Sequence, residues 1–306
     1  MNIAVVGAGA IGGWVAAKLS LAGEDVMALT SRGLLQQLEI RERNEARTAR
    51  FTNFNGPADV LVIAVKATTL RVAADRARPL IGPETTIVPM LNGVPWWFVE
   101  NLQLTSVDPD GSIAAALPFA LLVGCVVHAS CSRMGDAVVV KHAEKLIIGK
   151  PDGQTSEAVG RLSRLFKAAE LQPEITSDVR RAIWYKLWGN ATINPLSALT
   201  RVTCDKILAD SECRAWMLEG MTELAAIGAA VGCPISESGE DRMAVTARLG
   251  AFKTSMLQDV EGGRPIELEA LLGAPREIAR ARGIETPALD RLYGVTRLLA
   301  EGLGVS

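Results

Sequence analysis

The chain offers few features that would tie it to an oxidising compartment, to nucleic acid or to a membrane. Its five cysteines (Cys125, Cys131, Cys204, Cys213, Cys233) are odd in number and never spaced C-x-x-C, which speaks against a disulfide framework and against a zinc site. They read as reduced, packed thiols, and no metal is expected. The formal net charge is only -2, so there is no electrostatic case for a nucleic acid or membrane partner, and a small molecule is expected instead. The densest charge cluster, Glu39 to Arg50, mixes acids with arginines and reads as a solvated face. The chain opens on Met1-Asn2-Ile3-Ala4-Val5-Val6-Gly7 without the basic n-region or small-residue cleavage site of a secretory signal, and a cytoplasmic protein is expected. One stretch, between Asp110 and Arg133, lacks all four charged residue types, but Pro118, Gly124 and His128 interrupt it. A helix end followed by a buried strand is expected there rather than a membrane span. No repeat or low-complexity segment occurs. His128, His142, Asn53, Asn55 and the pair Trp96-Trp97 carry no motif and read as loop, core or lining residues.

What is present is enough for two domains. At 306 residues the chain exceeds the roughly 150 residues of a common single domain. Asn2 to Val6 is a short apolar run that meets Gly7-Ala8-Gly9-Ala10-Ile11-Gly12, after which Ile11, Val15 and Leu19 recur at helical spacing. Gly23 ends that helix, and Asp25 to Thr30 reads as a second strand. Asp59 to Val65 and Thr85 to Leu91 are apolar on both faces, as parallel strands covered by helices are, although Pro89 weakens the second. Ala137 to Val140 and Lys145 to Ile148 read as a strand pair, and Ser156 to Ala169 as an amphipathic helix ahead of Leu171-Gln172-Pro173. From Ser177 onward the patterns are helical, with stops expected at Pro195, Gly232-Cys233-Pro234 and Gly262 to Pro265. The expected fold is α/β: an N-terminal Rossmann-type doubly wound sheet over residues 1–172 and a C-terminal all-helical domain over 173–306.

The G-x-G-x-x-G pattern between strand and helix points to a dinucleotide site. The first glycine makes the turn, the second admits a pyrophosphate to the backbone, and the third lets helix pack on strand. An NAD site places an acid at the end of the second strand, whereas this strand ends Thr30-Ser31-Arg32, which favours the 2'-phosphate of NADP; the alternative is a surface arginine. Lys66 and Asn92 end the next two strands, where ligands of open sheets bind. Each has a plain alternative, a solvent-facing strand end for Lys66 and an Asn-Gly turn for Asn92. Lys186, Asn190 and Asn194 fall at i, i+4 and i+8 on one helical stripe. They suit a carboxylate and a ketone oxygen, or else a cap at Asn194-Pro195 beside an exposed lysine. The apolar, Gly- and Ala-rich Met217 to Gly232 reads equally as core or as a homodimer seam.

The chain resembles the ketopantoate reductase (2-dehydropantoate 2-reductase) family nearly end to end. The matching blocks are Gly7 to Gly12, Val65-Lys66-Ala67, Leu91-Asn92-Gly93, Trp184 to Asn190, Ile193-Asn194-Pro195-Leu196, Ser255 to Asp259 and Gly263 to Glu267. The resemblance implies NADPH-dependent reduction of ketopantoate to pantoate, with Lys186 as general acid and Glu267 helping to hold substrate. It implies that Asn92, Asn190, Asn194 and Ser255 line the substrate, and that the Gly7 to Gly12 turn, Arg32, Lys66 and Asn92 meet the cofactor. One departure concerns Ala270-Leu271-Leu272-Gly273, where many family members carry an Asn-Gly pair. Leu272 in place of an amide motivates a second reading, reduction of a different small 2-oxo acid. A third is a non-catalytic NADP-binding protein.

Overall fold

The computed structural model describes residues 1–305. They divide into two compact units, one formed by Met1–Leu91 with Gly111–Ala182 and the other by Asn92–Asp110 with the chain from Ile183 onward. The chain therefore crosses between units three times, the last crossing lying beyond the Leu171-Gln172-Pro173 break. In order, the first unit contains β1 (Asn2–Val6), α1 (Ala10–Leu21), β2 (Asp25–Thr30), β3 (Gly33–Leu35), β4 (Gln37–Glu42), β5 (Glu45–Arg50), β6 (Val60–Ile63), α2 (Leu70–Ala77) and β7 (Thr86–Pro89). After Gly111 follow α3 (Ser112–Ala116), β8 (Gly124–Met134), β9 (Ala137–Gly149), α4 (Glu157–Ala168) and β10 (Pro173–Ile175).

The first sheet runs β3-β2-β1-β6-β7, parallel except for β3. Ile3, Ala4 and Val5 are fully buried on alternating faces of β1, which is why the strand reads as an unbroken apolar run. β2 lies on one side of β1 and β6 on the other, so the strand order reverses at β1, the place where such sheets bind ligands. Pro89 ends β7 at the sheet edge, where a missing N–H removes no ladder bond.

The second sheet is where the chain departs from expectation. Residues 137–149 form one strand, β9, rather than a strand pair, and its antiparallel partner is β8. Register shifts after His128 and Ser130 mark bulges, which keep the ladder going past the polar middle of the strand. β4 and β10 share the other edge of β9 at its two ends, and the Glu39 to Arg50 charge cluster is the β4–β5 hairpin. Its solvated face is β5, which buries only Ala49. α1 packs on this sheet: a Cβ at Gly13 would stand 3.0 Å from Leu38 and 3.1 Å from Val138. The almost fully buried Lys18 donates from the same helix to Glu42 at 3.1 Å and to Glu170 at 2.8 Å, so its charge is compensated where it is desolvated.

The second unit is helical: α5 (Val179–Thr200, beginning just before it), α6 (Cys204–Ala209), α7 (Ser211–Ala230), α8 (Gly239–Ala247), α9 (Ser255–Glu261), a π-type turn at Glu269–Gly273, α10 (Ala274–Ala281) and α11 (Pro287–Leu303). Pro195 does not stop a helix, because α5 continues through it to Thr200. Buried neighbours such as Ile193, Leu196 and Ala198 hold this turn in the core, which outweighs the one backbone bond a proline cannot donate. The Asn194-Pro195 cap is excluded with it. Met217 to Gly232 supplies core: a Cβ at Gly228 would stand 2.3 Å from the Trp184 Nε1, and one at Gly220 2.8 Å from Thr192 Cγ2. The two glycines therefore let α7 lie close along α5, and the Trp184 and Trp188 indoles donate to the Leu224 and Met221 carbonyls across the seam.

Residues 92–110 belong here because Val94, Phe98, Val99 and Leu104 enter this core. Phe98 stacks on Trp184 with ring centroids 5.5 Å apart. The Glu277 carboxylate accepts the backbone N–H groups of Thr105 at 2.8 Å and Ser106 at 2.9 Å. Burial pushes the Glu277 carboxyl up, but the hydrogen bonds from Ser106 and Thr105 outweigh it and hold the group below its ordinary range. All five cysteines are free. Burial pushes Cys131 and Cys204 up to about 12, so neither is a thiolate at neutral pH.

Candidate active site

The first unit gathers its candidates at one edge of the parallel sheet. Val6 of β1 is in register with Leu29 of β2 and Ile63 of β6, so Gly7, Ser31-Arg32 and Lys66 all follow carboxyl ends of adjacent strands. Gly7 has φ +98°, and a Cβ there would stand 2.5 Å from the Ala64 carbonyl oxygen. A Cβ at Gly12 would meet the Gly7 carbonyl oxygen at 2.2 Å and Ala64 at 2.9 Å, so the third glycine allows the helix start to press on two strand ends. Gly9 differs, since a Cβ there would meet only the Gly7 carbonyl oxygen, at 3.9 Å. Apart from the chain neighbours of Gly9, no other atom lies within 4 Å on that side, which leaves room of the kind that a pyrophosphate requires.

The electrostatics agree. Gly9 caps α1 without a side-chain hydrogen bond, and the first turn of α1 carries no acid, which leaves its first N–H groups and the positive end of the dipole for an anion. Arg32 sits at the tip of the β2–β3 hairpin, whose turn is held by the Thr30 hydroxyl. Arg76 on α2 donates to the Ser31 carbonyl at 3.4 Å. It is a second guanidinium at this strand end that sequence reasoning missed, because only the fold brings residue 76 to residue 31. Lys66 precedes a single 3-10 turn over Ala67–Thr69, whose Thr69 hydroxyl donates to its carbonyl.

The second unit carries the other candidates. Lys186, Asn190 and Asn194 lie along α5. At about 100° per residue they occupy the face roughly opposite Trp184, Trp188 and Thr192, which make the α7 seam. Lys186 and Asn190 are half-buried, whereas Asn194 is buried. Ser255 is the first residue of α9, exposed, just after Thr254, whose hydroxyl accepts the Leu257 N–H. Glu267 immediately precedes the turn into α10, and its carbonyl accepts the Leu271 N–H. Arg264 ties that segment back to α9, donating from its side chain to Asp259 at 3.0 Å and to the Gln258 carbonyl at 2.7 Å. Ile266 is held by the Val305 carbonyl.

Asn92 joins this group through its neighbours. The Val94 N–H donates to the Ala270 carbonyl at 2.8 Å, and a Cβ at Gly93 (φ +82°) would stand 2.4 Å from that same oxygen. Glycine is thus required twice, by conformation and by close approach, and the result seats the Asn92 turn on the segment that follows Glu267. Leu272 is fully buried in the helical core. It faces packing partners, and the departure at this position takes no polar group from an exposed site surface.

A doubly wound sheet with an open glycine cradle, joined to a helical unit carrying a lysine and amide row, defines a dinucleotide-dependent enzyme of small molecules. The comparisons with known proteins specify it. The profile for "Ketopantoate reductase PanE/ApbA" matches residues 3–153, and that for its C-terminal domain matches residues 178–300. The 2-dehydropantoate 2-reductase of Mesorhizobium japonicum is 37% identical over 98% of this chain and 98% of its own. A solved protein of Ralstonia solanacearum MolK2, assigned to the ketopantoate reductases, is 42% identical with a TM-score of 0.94 over 100% of this chain and 99% of its own. D-mandelate dehydrogenase solved with NADH and anilino(oxo)acetate shares the fold, with a TM-score of 0.86 at 18% identity over 100% of both chains. The chain belongs to the ketopantoate reductase family and is an oxidoreductase that works with a nicotinamide dinucleotide. Among the described residues no helix is long and apolar enough to cross a membrane.

Proposed function

We propose that the chain reduces 2-dehydropantoate (ketopantoate) to pantoate with NADPH, using Lys186 as the general acid. The observation that carries the reading is the end-to-end similarity to 2-dehydropantoate 2-reductases, together with the Lys186, Asn190 and Asn194 row on the face of α5 turned away from its packing seam. The open cradle at Gly9, the uncapped start of α1 and the two arginines near Ser31 fit NADPH. Gly7 to Gly12 and Lys66 would hold its phosphates, Arg32 and Arg76 its 2'-phosphate, and Asn92 the nicotinamide end. Bound NADPH would supply the hydride.

The chain's own residues do the rest. As C2 of the 2-oxo acid becomes tetrahedral, negative charge develops on its oxygen, and the Lys186 ammonium stabilises and then protonates it. Asn190, Asn194 and Ser255 offer amide and hydroxyl donors to the carboxylate or hydroxyl of the substrate. Glu267 accepts a substrate hydroxyl, held in place by the Arg264 clip and the Asn92 turn. Leu272 lies buried in the helical core, so its side chain lends no support of its own to a different 2-oxo acid. A panel of 2-oxo acids monitored by NADPH oxidation tests the reading. Ketopantoate is expected to give the highest kcat/KM, and turnover of another acid far above it, or of none at all, would overturn the assignment.

A further inference from the structure

The glycine turn of the first unit is held by a cation that has no part in the roles assigned above. Of the carbonyls of Gly7, Ala8 and Gly9, the first accepts the Gly9 N–H at 2.7 Å and the last accepts the Gly13 N–H at 3.0 Å. The carbonyl between them accepts no backbone N–H among the described residues. Its donor is the guanidinium of Arg133, which reaches it through Nη1 at 3.4 Å from 125 residues along the chain. Ala8 is only 3% exposed, and buried carbonyls are ordinarily paired.

Arg133 is aimed by its own strand end. It is the last residue but one of β8, where Met134 pairs with Ala137 across the turn Gly135-Asp136. Its Nε donates to the Gly135 carbonyl at 2.8 Å. The Asp136 carbonyl in turn accepts the Glu39 N–H at 3.1 Å, which ties this turn to β4. Among the described residues the one ion pair of Arg133 is with Asp136, at 4.0 Å and with that carboxylate fully exposed, so water screens the pair and leaves most of the positive charge in place.

A pyrophosphate carries negative charge, and the turn meets it with backbone N–H groups and the positive end of the α1 dipole. Those groups bind well only while the turn keeps its shape. Arg133 serves both needs, since its N–H holds the middle carbonyl and its charge, which no physiological pH removes, stands one residue from Gly9.

We propose that Arg133 is a positioning residue for the dinucleotide: it fixes the Gly7 to Gly12 turn with its N–H groups toward the pyrophosphate and adds a permanent positive charge beside them. The pyrophosphate is common to NADPH and NADH, so Arg133 strengthens both alike, unlike Arg32 and Arg76, which are assigned to the 2'-phosphate. The proposal needs only a nicotinamide dinucleotide, whichever keto acid is reduced.

The test titrates NADPH and NADH, each read by nicotinamide fluorescence, into the full chain and its Arg133→Met, Arg133→Gln and Arg133→Lys variants without substrate. Arg133→Met is expected to weaken both cofactors by one common factor of about 3 to 10, the lower range for a lost hydrogen bond that carries charge. The preference between the two cofactors then stays at its wild-type value. Added salt should weaken cofactor binding less steeply in Arg133→Met than in wild type, because one screened attraction is gone; a purely structural role would leave that slope unmoved. Arg133→Lys keeps the charge and should retain the wild-type slope while recovering part of the affinity. Arg133→Gln reads the same comparison should the Met variant not fold. A folded Arg133→Met or Arg133→Gln protein with wild-type affinity for both cofactors would overturn the proposal, and so would a loss confined to NADPH, which makes Arg133 a further reader of the 2'-phosphate. Failure of the cofactor reading itself looks different: the wild-type chain then binds neither dinucleotide, and the proposal falls with it.

Discussion

On the proposed function, Lys186 and the arginines near Ser31 are where single side chains would decide the chemistry. Replacing Lys186 by alanine removes both the stabilising charge and the proton donor, so kcat/KM for ketopantoate should fall by about 10² to 10⁴. NADPH affinity, measured by fluorescence titration, should hardly change, and an Ala variant with near wild-type kcat/KM would remove Lys186 from the mechanism. Arg32 and Arg76 are expected to share recognition of the 2'-phosphate. The Arg32→Ala and Arg76→Ala double variant should lose most of its preference for NADPH over NADH while kcat with saturating cofactor stays nearly constant. An unchanged ratio would show that neither residue reads the phosphate. Of these three candidates, the sequence singles out Lys186 by its block and Arg32 by its strand end. It does not single out Arg76, since nothing in a helix sequence says which strand end its arginine will reach.

At the scale of elements, legibility followed apolar periodicity. β1 and β2 emerge with the bounds their sequence suggests, and α4 sits between Ser156, whose hydroxyl accepts the Ala158 N–H, and Ala169. The β4–β5 hairpin is present in the fold but was not legible in the sequence. Its buried face is only Leu38 and Ile40 on one strand and Ala49 on the other, set among charges. Its turn uses Arg43 and Asn44 at positive φ without a glycine, so the usual hairpin signal is missing. Pro195 misleads in the opposite direction, because tertiary packing around α5 overrides the local preference to stop. The α5–α7 seam yields a stability prediction. Gly228→Ala would drive a methyl into the Trp184 indole and disturb its bond to the Leu224 carbonyl, at a cost of about 1–3 kcal/mol. Chemical denaturation should read this as a lower midpoint, whereas a stability within a few tenths of a kcal/mol of wild type would mean that the seam can open at little expense.

For the whole molecule the informative fact is that two separate hydrophobic cores are made by one chain that passes between them more than once. The passage over residues 92–110 is clipped by Glu277, and that clip is pH-dependent. Because folding lowers this carboxyl below its ordinary value of 4.5, the unfolded chain binds more protons in that range. The stabilisation is complete above the ordinary value and drains as pH falls through the depressed one. Glu277→Gln should cost about 1–2 kcal/mol at neutral pH and flatten the acid limb of stability below pH 4.5, as melting curves across pH would record. An acid limb as steep as wild type would show that other carboxylates govern it.

The same passage bears on how the protein can be cut. A gene truncated after Ala182 encodes the whole glycine cradle and both sheets, yet it also encodes Val94, Phe98 and Leu104 without the helices that cover them. That fragment should aggregate on expression. A soluble cofactor-binding module needs an internal deletion as well, with residues 92–110 exchanged for a polar linker. The interruption sets a rule for shuffling parts among relatives too: a chimera that swaps the helical unit must carry its own version of residues 92–110, or Phe98 will meet a foreign Trp184.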